Sequence, residues 1–316
     1  MHFRPKKYDF VEASTASLSL LKQLKSEQEM DVTIYDQDFN LFQVSHQYDL
    51  VLAENCIPGQ SNPADSLKRI SERVENNGYL IFTTNTKLGM LSEILRSVIA
   101  LILRNTLEYD QYWSHITRIM QQHLWSLEVK TRTVSDWVLD TLEYNVHKNK
   151  TDFSLLEALE CLHGFTFVGS SPAFFQNFEW FKKDSDLSSR QNQNIKNQYE
   201  SIQLLFIDHS LFPENIIDLP LSLRDQIITC GEQIFDLSKE ALIKNEWNDL
   251  TKLIESISLL KSLTEGVLSR LFCTLEEIEQ MLISPSVENL TSPKPYFEKW
   301  WGRSTLYVCL KKNVYK

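Results

Sequence analysis

The feature that most constrains this chain is the alternation of β and helical patterns over its first 105 residues. The run "YDFVEA" (8–13) reads as a strand. From Thr15 to Gln28, Leu18, Leu21 and Leu24 recur at three-residue spacing with Leu20 beside them, which predicts an amphipathic helix. "MDVTIYDQD" is a second strand, rich in β-branched residues and ending in acids. "QYDLVLAEN" is a third, and its unbroken apolar run after Asp49 predicts a central strand buried on both faces. Pro63 falls in the first turn of a helix expected around Ala64 to Glu75, where a missing N–H costs nothing. "NNGYLIFTTN" predicts a turn and a fourth strand, followed by a helix over 88–104. Strands joined by helices form a parallel sheet with right-handed crossovers, and such sheets bind ligands at their strands' carboxyl ends. That rule singles out Glu12, Asp36, Gln37, Asp38, Ala53, Glu54, Asn55 and Thr83 to Asn85.

Downstream, residues 106–163 read as helical and aromatic-rich, and "FTFVGSSP" (165–172) as a strand stopped by Pro172. The stretch 182–198 is polar and nearly free of apolar residues, so it is expected to be a linker. Residues 199–284 read as a helical insertion, with Leu250, Leu253, Ile257, Leu260, Leu268 and Leu271 on a shared apolar face. Residues 285–316 supply a loop and a closing strand, "STLYVCLKK". The division expected is an α/β core over 1–181, the linker, the insertion, and this closing segment.

Composition narrows the function classes. A net charge of −10 argues against general nucleic-acid binding, which needs a basic footprint. The five cysteines lie far apart with no Cys-x-x-Cys pair, as expected for reduced thiols in a cytoplasmic protein. No apolar signal segment follows the basic N-terminus. The most apolar stretch, 88–103, carries Glu93 and Arg96 at its middle and is too short to span a bilayer. His115 and His123, two turns apart, make a poor metal pair, and "CLH" (161–163) lacks partner ligands, so no metal site is expected. Trp180, Trp300 and Trp301 with Arg303 suit either core packing or stacking on a sugar or partner.

The segment "YDLVLAENCIPGQSNPADSLKRISERVENNGYLIFTTN" resembles the class I S-adenosylmethionine-dependent methyltransferases of the type 11/12 group. Three features carry the likeness: a strand beginning Asp-Leu-Val, a following helix, and an Asn-Gly turn leading to an apolar strand that ends in Thr. "VEAS" matches that family's second strand, and "YDQD" the end of its third. The resemblance implies a Rossmann-like α/β fold with a mostly parallel sheet and S-adenosylmethionine as cofactor. It implies Glu12 as the ribose ligand, Asp36 and Gln37 near the adenine, and Ala53, Glu54 and Asn55 along the cleft. A carboxylate suits the ribose because it accepts two hydrogen bonds from a vicinal diol. "FTFVGSSPAFFQNFEWFKK" and "WWGRSTLYVCLKK" look like the last two sheet strands of a branch associated with bacterial surface glycans. The implied acceptor is a hydroxyl or amine of a small molecule or glycan.

Two departures qualify that reading. The family's Gly-x-Gly-x-Gly-like loop after its first strand has no counterpart, since no two of the eight glycines stand close enough. By this register the fold is truncated at its N-terminus, opening at the second strand. "ENCIPGQ" also lacks the Glu-His found in many relatives, so no catalytic base is assigned. The alternatives are therefore an inactive methyltransferase-like partner or regulatory subunit acting through the helical insertion, or a start site placed too late. A homo-oligomer or a separate subunit supplying the first strand completes the set.

Overall fold

The computed structural model describes residues 7–28, 31–127, 132–143, 152–175 and 187–314. Its strands are β1 (Tyr8–Glu12), β2 (Val32–Asp36), β3 (Tyr48–Ala53), β4 (Val74–Asn85), β5 (Phe165–Ser171) and β6 (Thr305–Lys312). The first four helices are α1 (Thr15–Gln28), α2 (Pro63–Ser71), α3 (Lys87–Thr106) and α4 (Tyr109–Trp125). Local chemistry sets the helix starts. Asn62 caps α2 by accepting from the Asp65 N–H, with Pro63 at the first position, and Thr86 caps α3 by accepting from Gly89.

The strands form a parallel pair, β1–β2, and a separate four-stranded sheet ordered β3-β4-β6-β5. Within the larger sheet β3 and β4 are parallel, while β6 runs antiparallel to both β4 and β5. The sheet is thus mixed, which corrects the expectation of a mostly parallel one. The closing strand arrives from a long helical excursion and enters between β4 and β5 in the opposite sense. A second correction concerns β3. Its apolar run predicts a central strand, yet it lies at the sheet's edge, with Leu50 37% and Leu52 61% exposed. A third concerns "NNG": β4 starts earlier, at Val74, and takes these residues as a bulge. Tyr48 pairs with Val74 but Leu50 with Tyr79, and Asn77 adopts φ 65°. Helix α2 ends at Ser71, short of the expected Glu75, because the chain is already entering β4.

The body packs around α3, which is buried on nearly all sides from Leu88 to Leu103. The long helix Leu221–Lys244 lies against it closely enough that a Cβ on Gly231 would stand 2.5 Å from Leu88 Cδ2. Backbones meet still more tightly at Gly89, where a Cβ would fall 2.2 Å from the Arg303 carbonyl oxygen. The helices Thr251–Thr264 and Ser269–Ile283 bury Leu253, Ile257, Leu260, Leu271 and Leu275 in the same continuous core as the sheet. Residues 199–284 are therefore packed into the body rather than set apart from it. The stretch expected as a linker is described from 187, and there it is the start of helix Leu187–Ile202. Asn192 and Gln191 hydrogen-bond the backbone of β5 at Phe165 and Phe167, and Ile195 and Tyr199 are buried.

Arg96 is fully buried at the centre of this body. Its guanidinium donates to His123 Nδ1 (2.9 Å) and to the carbonyls of Ser92 (2.9 Å), Phe297 (3.0 Å) and Trp300 (2.8 Å). It also lies over the Trp301 ring at 3.9 Å. Burial pushes its pKa down to about 9, and burial beside that cation holds His123 well below its ordinary value, as a neutral acceptor. Trp300 and Trp301 are core residues, donating to the Ile207 carbonyl and Ser126 Oγ. Arg303 is spent on backbone carbonyls, including those of Asp208 and Leu211. These three do not form a sugar-stacking face, and Trp180 lies outside the described residues. No helix among the described residues is long and apolar enough to cross a membrane.

Candidate functional site

β1 runs parallel to β2 and β3 parallel to β4, so within each pair the carboxyl ends lie side by side. Register places Glu12 directly opposite Asp36 at the ends of β1 and β2, so these acids are cross-strand neighbours. Glu12 Oε1 accepts the Ser14 N–H at 2.7 Å, which turns the chain into α1, and Oε2 takes no hydrogen bond from a described residue. Asp36 is exposed and Gln37 half-buried. Asn40, just beyond, locks this end of the unit onto the body. Its side chain donates to Gln60 (2.9 Å) and accepts from Ser66 (2.8 Å), and Gln60 in turn donates to the Cys56 carbonyl. The loops after β2 and β3 are thereby held together.

On the larger sheet, Ala53 is buried, while Glu54 and Asn55 are exposed at the end of β3. Asn55 adopts φ 54°, a left-handed conformation that Asn tolerates better than most residues, and its N–H donates to Thr83 Oγ1 at 2.7 Å. Glu54 accepts a hydrogen bond from the Tyr307 hydroxyl across the sheet, so one of its oxygens is engaged. The structure brings Glu12 to Asp36 and groups Ala53 with Glu54 and Asn55. Among the described residues no hydrogen bond or ion pair joins the two groups.

Beyond β4 the sheet opens into a cavity of about 180 Å³, lined by Asn85, Lys87, Asp152, Glu157, Tyr199 and Glu232 among others. Asn85 holds its wall in place by exchanging hydrogen bonds with the Phe153 backbone (3.0 and 2.9 Å). Ser154 and Glu157 form a reciprocal cap on helix Leu155–Cys161. Burial pushes the Glu232 carboxyl above the usual range against the pull of Lys87, with Asp152 and Asp236 adding to the rise. For Lys87, burial works against the charge, but Asp236 at 2.9 Å, Asp152 and Glu232 outweigh it and raise its pKa. A second hollow of about 460 Å³ opens beside the first, sharing Asp152 and Glu157 and reaching Asn62, Lys68 and Cys161 near the start of α2. Burial lifts the Cys161 thiol to about 11, which disfavours the reactive thiolate. Among the described residues no three metal-ligating side chains cluster.

No protein-family model matches the sequence, and no curated protein matches it either. Among solved structures, the chain is similar to PKMT2 from Rickettsia typhi in complex with AdoHcy, at 16% identity and a TM-score of 0.40. That alignment covers 60% of this chain and 40% of the other.

Sequence reasoning named the strand ends, Thr83 to Asn85 included, but missed Lys87, Asp152 and Glu232. The first stands two residues past a strand end it had marked, so extending that window into α3 would have found it. The other two reach the cavity only through tertiary packing.

Proposed function

We propose that this chain is an S-adenosylmethionine-dependent methyltransferase acting on a hydroxyl or amine of a small molecule or glycan. The observation that carries the reading is the pairing of Glu12 with Asp36 at the carboxyl ends of parallel strands. Glu12 Oε2 is open for a ribose hydroxyl, and exposed Asp36 with Gln37 stands beside it, as the sequence resemblance implies. The residues present fit the nucleoside half of the cofactor. Among the described residues no glycine-rich loop offers a cradle for its methionine half. Gly59, in the loop after β3, has open space around the position of a Cβ, so no close backbone approach there calls for glycine. No catalytic step is therefore assigned through the cofactor. The polar cavity beyond β4 is the acceptor end of this reading, since Asp152, Glu157 and Glu232 can accept hydrogen bonds from a hydroxyl or amine.

The test is calorimetric titration with S-adenosylmethionine and with S-adenosylhomocysteine. Saturable binding that Glu12→Ala weakens by about tenfold, the loss of one charge-assisted hydrogen-bond pair, supports the proposal. A flat titration with folded protein ends it for these 316 residues. One observation favours a second reading, a non-catalytic partner protein: the exposed apolar edge of β3. The helical insertion also presents exposed apolar side chains, Ile217, Leu221, Ile243 and Leu259 among them, for that reading.

A further inference from the structure

We propose that the cavity beyond β4 takes a short aliphatic diamine in its doubly protonated form. The inference rests on the reading above in treating this cavity as the acceptor end, while the binding itself needs no cofactor. Two independent features converge on that ligand: carboxylates without a cation, and a buried tyrosine whose hydroxyl lacks a partner among the described residues.

Asp152, Glu157 and Glu232 line the cavity, and Lys87 is the basic residue among them. The Lys87 ammonium is already held by Asp236 at 2.9 Å. Among the described residues no cationic side chain stands at ion-pair distance from the three lining carboxylates. Ser154 engages Glu157 Oε2 through both its N–H and its hydroxyl, at 2.7 Å each, which leaves Oε1. Asp152 and Glu232 accept no hydrogen bond from a described residue. Carboxylates grouped in this way repel one another, so they favour a ligand that brings more than one positive charge.

Tyr199 stands in the same wall and is only 2% exposed. Its ring packs against Phe175 and Phe206, with centroids 6.4 and 5.7 Å away. Its hydroxyl neither donates to nor accepts from a described residue. Burial, and then Glu157, Glu232 and Asp152, push its pKa up, so the hydroxyl lies in the field of all three carboxylates. A buried hydroxyl without a partner costs free energy. An ammonium removes that cost because it carries three donors, one for this oxygen and the others for carboxylates. A neutral alcohol would satisfy the tyrosine and leave the carboxylates uncompensated.

The rest of the wall suits a carbon chain. Leu88, Phe206 and the Tyr199 ring are buried surface that methylene groups can cover. The neighbouring hollow shares Asp152 and Glu157 with this cavity, whereas Glu232 and Tyr199 line the cavity alone. One ammonium therefore belongs with Tyr199 and Glu232, and the second at the junction with Asp152 and Glu157. The cavity's volume of about 180 Å³ holds about six water-sized groups, the size of 1,4-diaminobutane.

The probe is 1,4-diaminobutane, titrated calorimetrically into the full chain at low salt without cofactor. Saturable binding is expected. 1-Aminobutane, lacking one charge-assisted contact, is expected to bind about tenfold more weakly, and 1,4-butanediol not to bind. Glu232→Gln is expected to weaken the diamine about tenfold and Tyr199→Phe about fivefold. Because the Tyr199 hydroxyl holds no described group in place, Tyr199→Phe keeps the ring packing and decides the matter if Glu232→Gln fails to fold. Glu255→Gln, at an exposed position on helix Thr251–Thr264, is expected to change nothing. A flat titration, a diol that binds as well as the diamine, or a folded Tyr199→Phe with undiminished binding overturns the proposal. So does a loss in Glu255→Gln equal to that in Glu232→Gln. If S-adenosylmethionine binds and the diamine does not, this inference falls alone. If the diamine binds and the cofactor does not, the site stands and only its role as the acceptor end falls.

Discussion

The β1–α1–β2 unit and the β3–β6 body are held by different kinds of force. The body has one continuous apolar core in which α3, the long helix Leu221–Lys244 and the sheet share buried side chains. The N-terminal unit buries little of its own, chiefly Leu18, Val32 and Phe42, while Leu20 of α1 is 57% exposed. It is fastened by polar cross-links: Tyr48 to Asp9 at one end, Asn40 to Gln60 and Ser66 at the other, and Arg73 to the Phe42 carbonyl between them. Apolar burial scales with area and resists single substitutions. A few directional bonds do not, so the unit that carries Glu12 and Asp36 is the one expected to yield first.

Substitutions can break that contrast, and the largest effect belongs in the body. Arg96→Met removes the donor to three carbonyls and His123 inside the core, and is expected to cost about 3–5 kcal/mol in denaturant unfolding. A loss under about 1 kcal/mol would show that the buried guanidinium is replaceable by packing. Next comes Gly89→Ala, where the new Cβ meets the Arg303 carbonyl oxygen. Pushing these backbones apart is expected to cost about 1–3 kcal/mol and to lower the melting temperature of the whole body.

Tyr48→Phe acts on the other region. It is expected to cost about 1 kcal/mol and to raise hydrogen exchange in 8–36 while β4 and β6 stay protected. Equal loosening of both regions would mean that they unfold as one. The smallest effect is acid. Burial opposes ionisation of Asp9, but Tyr48, Thr33, Lys7 and His46 outweigh it and hold its carboxyl below the ordinary range. A depressed carboxyl contributes stability that is present above about pH 4 and is lost as the pH falls through its lower folded value. Exchange in 8–12 should therefore rise below about pH 4 ahead of the body, and Asp9→Asn should remove that step.

Much of the element order was legible because periodicity and end signals are local. The apolar spacing of Leu18, Leu21 and Leu24 marks α1, Pro63 marks the start of α2, and the alternation of residues 165–171 and 305–312 marks β5 and β6. The helix over 187–202 escaped because most of its residues are polar, six of them Gln or Asn. Ile195, Tyr199 and Ile202, at steps of four and three, were the available sign. "NNG" was read as a turn because those residues favour one in isolation, whereas pairing with β3 turns them into a bulge.

The sequence by itself determined where most of the strands and helices form, that several strands end in acids, and that β3 is made of residues suited to burial. Only the tertiary structure decided that Glu12 stands beside Asp36, that Asp152 and Glu232 share a cavity with Lys87, and that β3 lies at an open edge. The physical reason is range. Backbone preference and periodicity act over a few residues, whereas a strand's neighbours and a carboxylate's surroundings are fixed by contacts between distant parts of the chain.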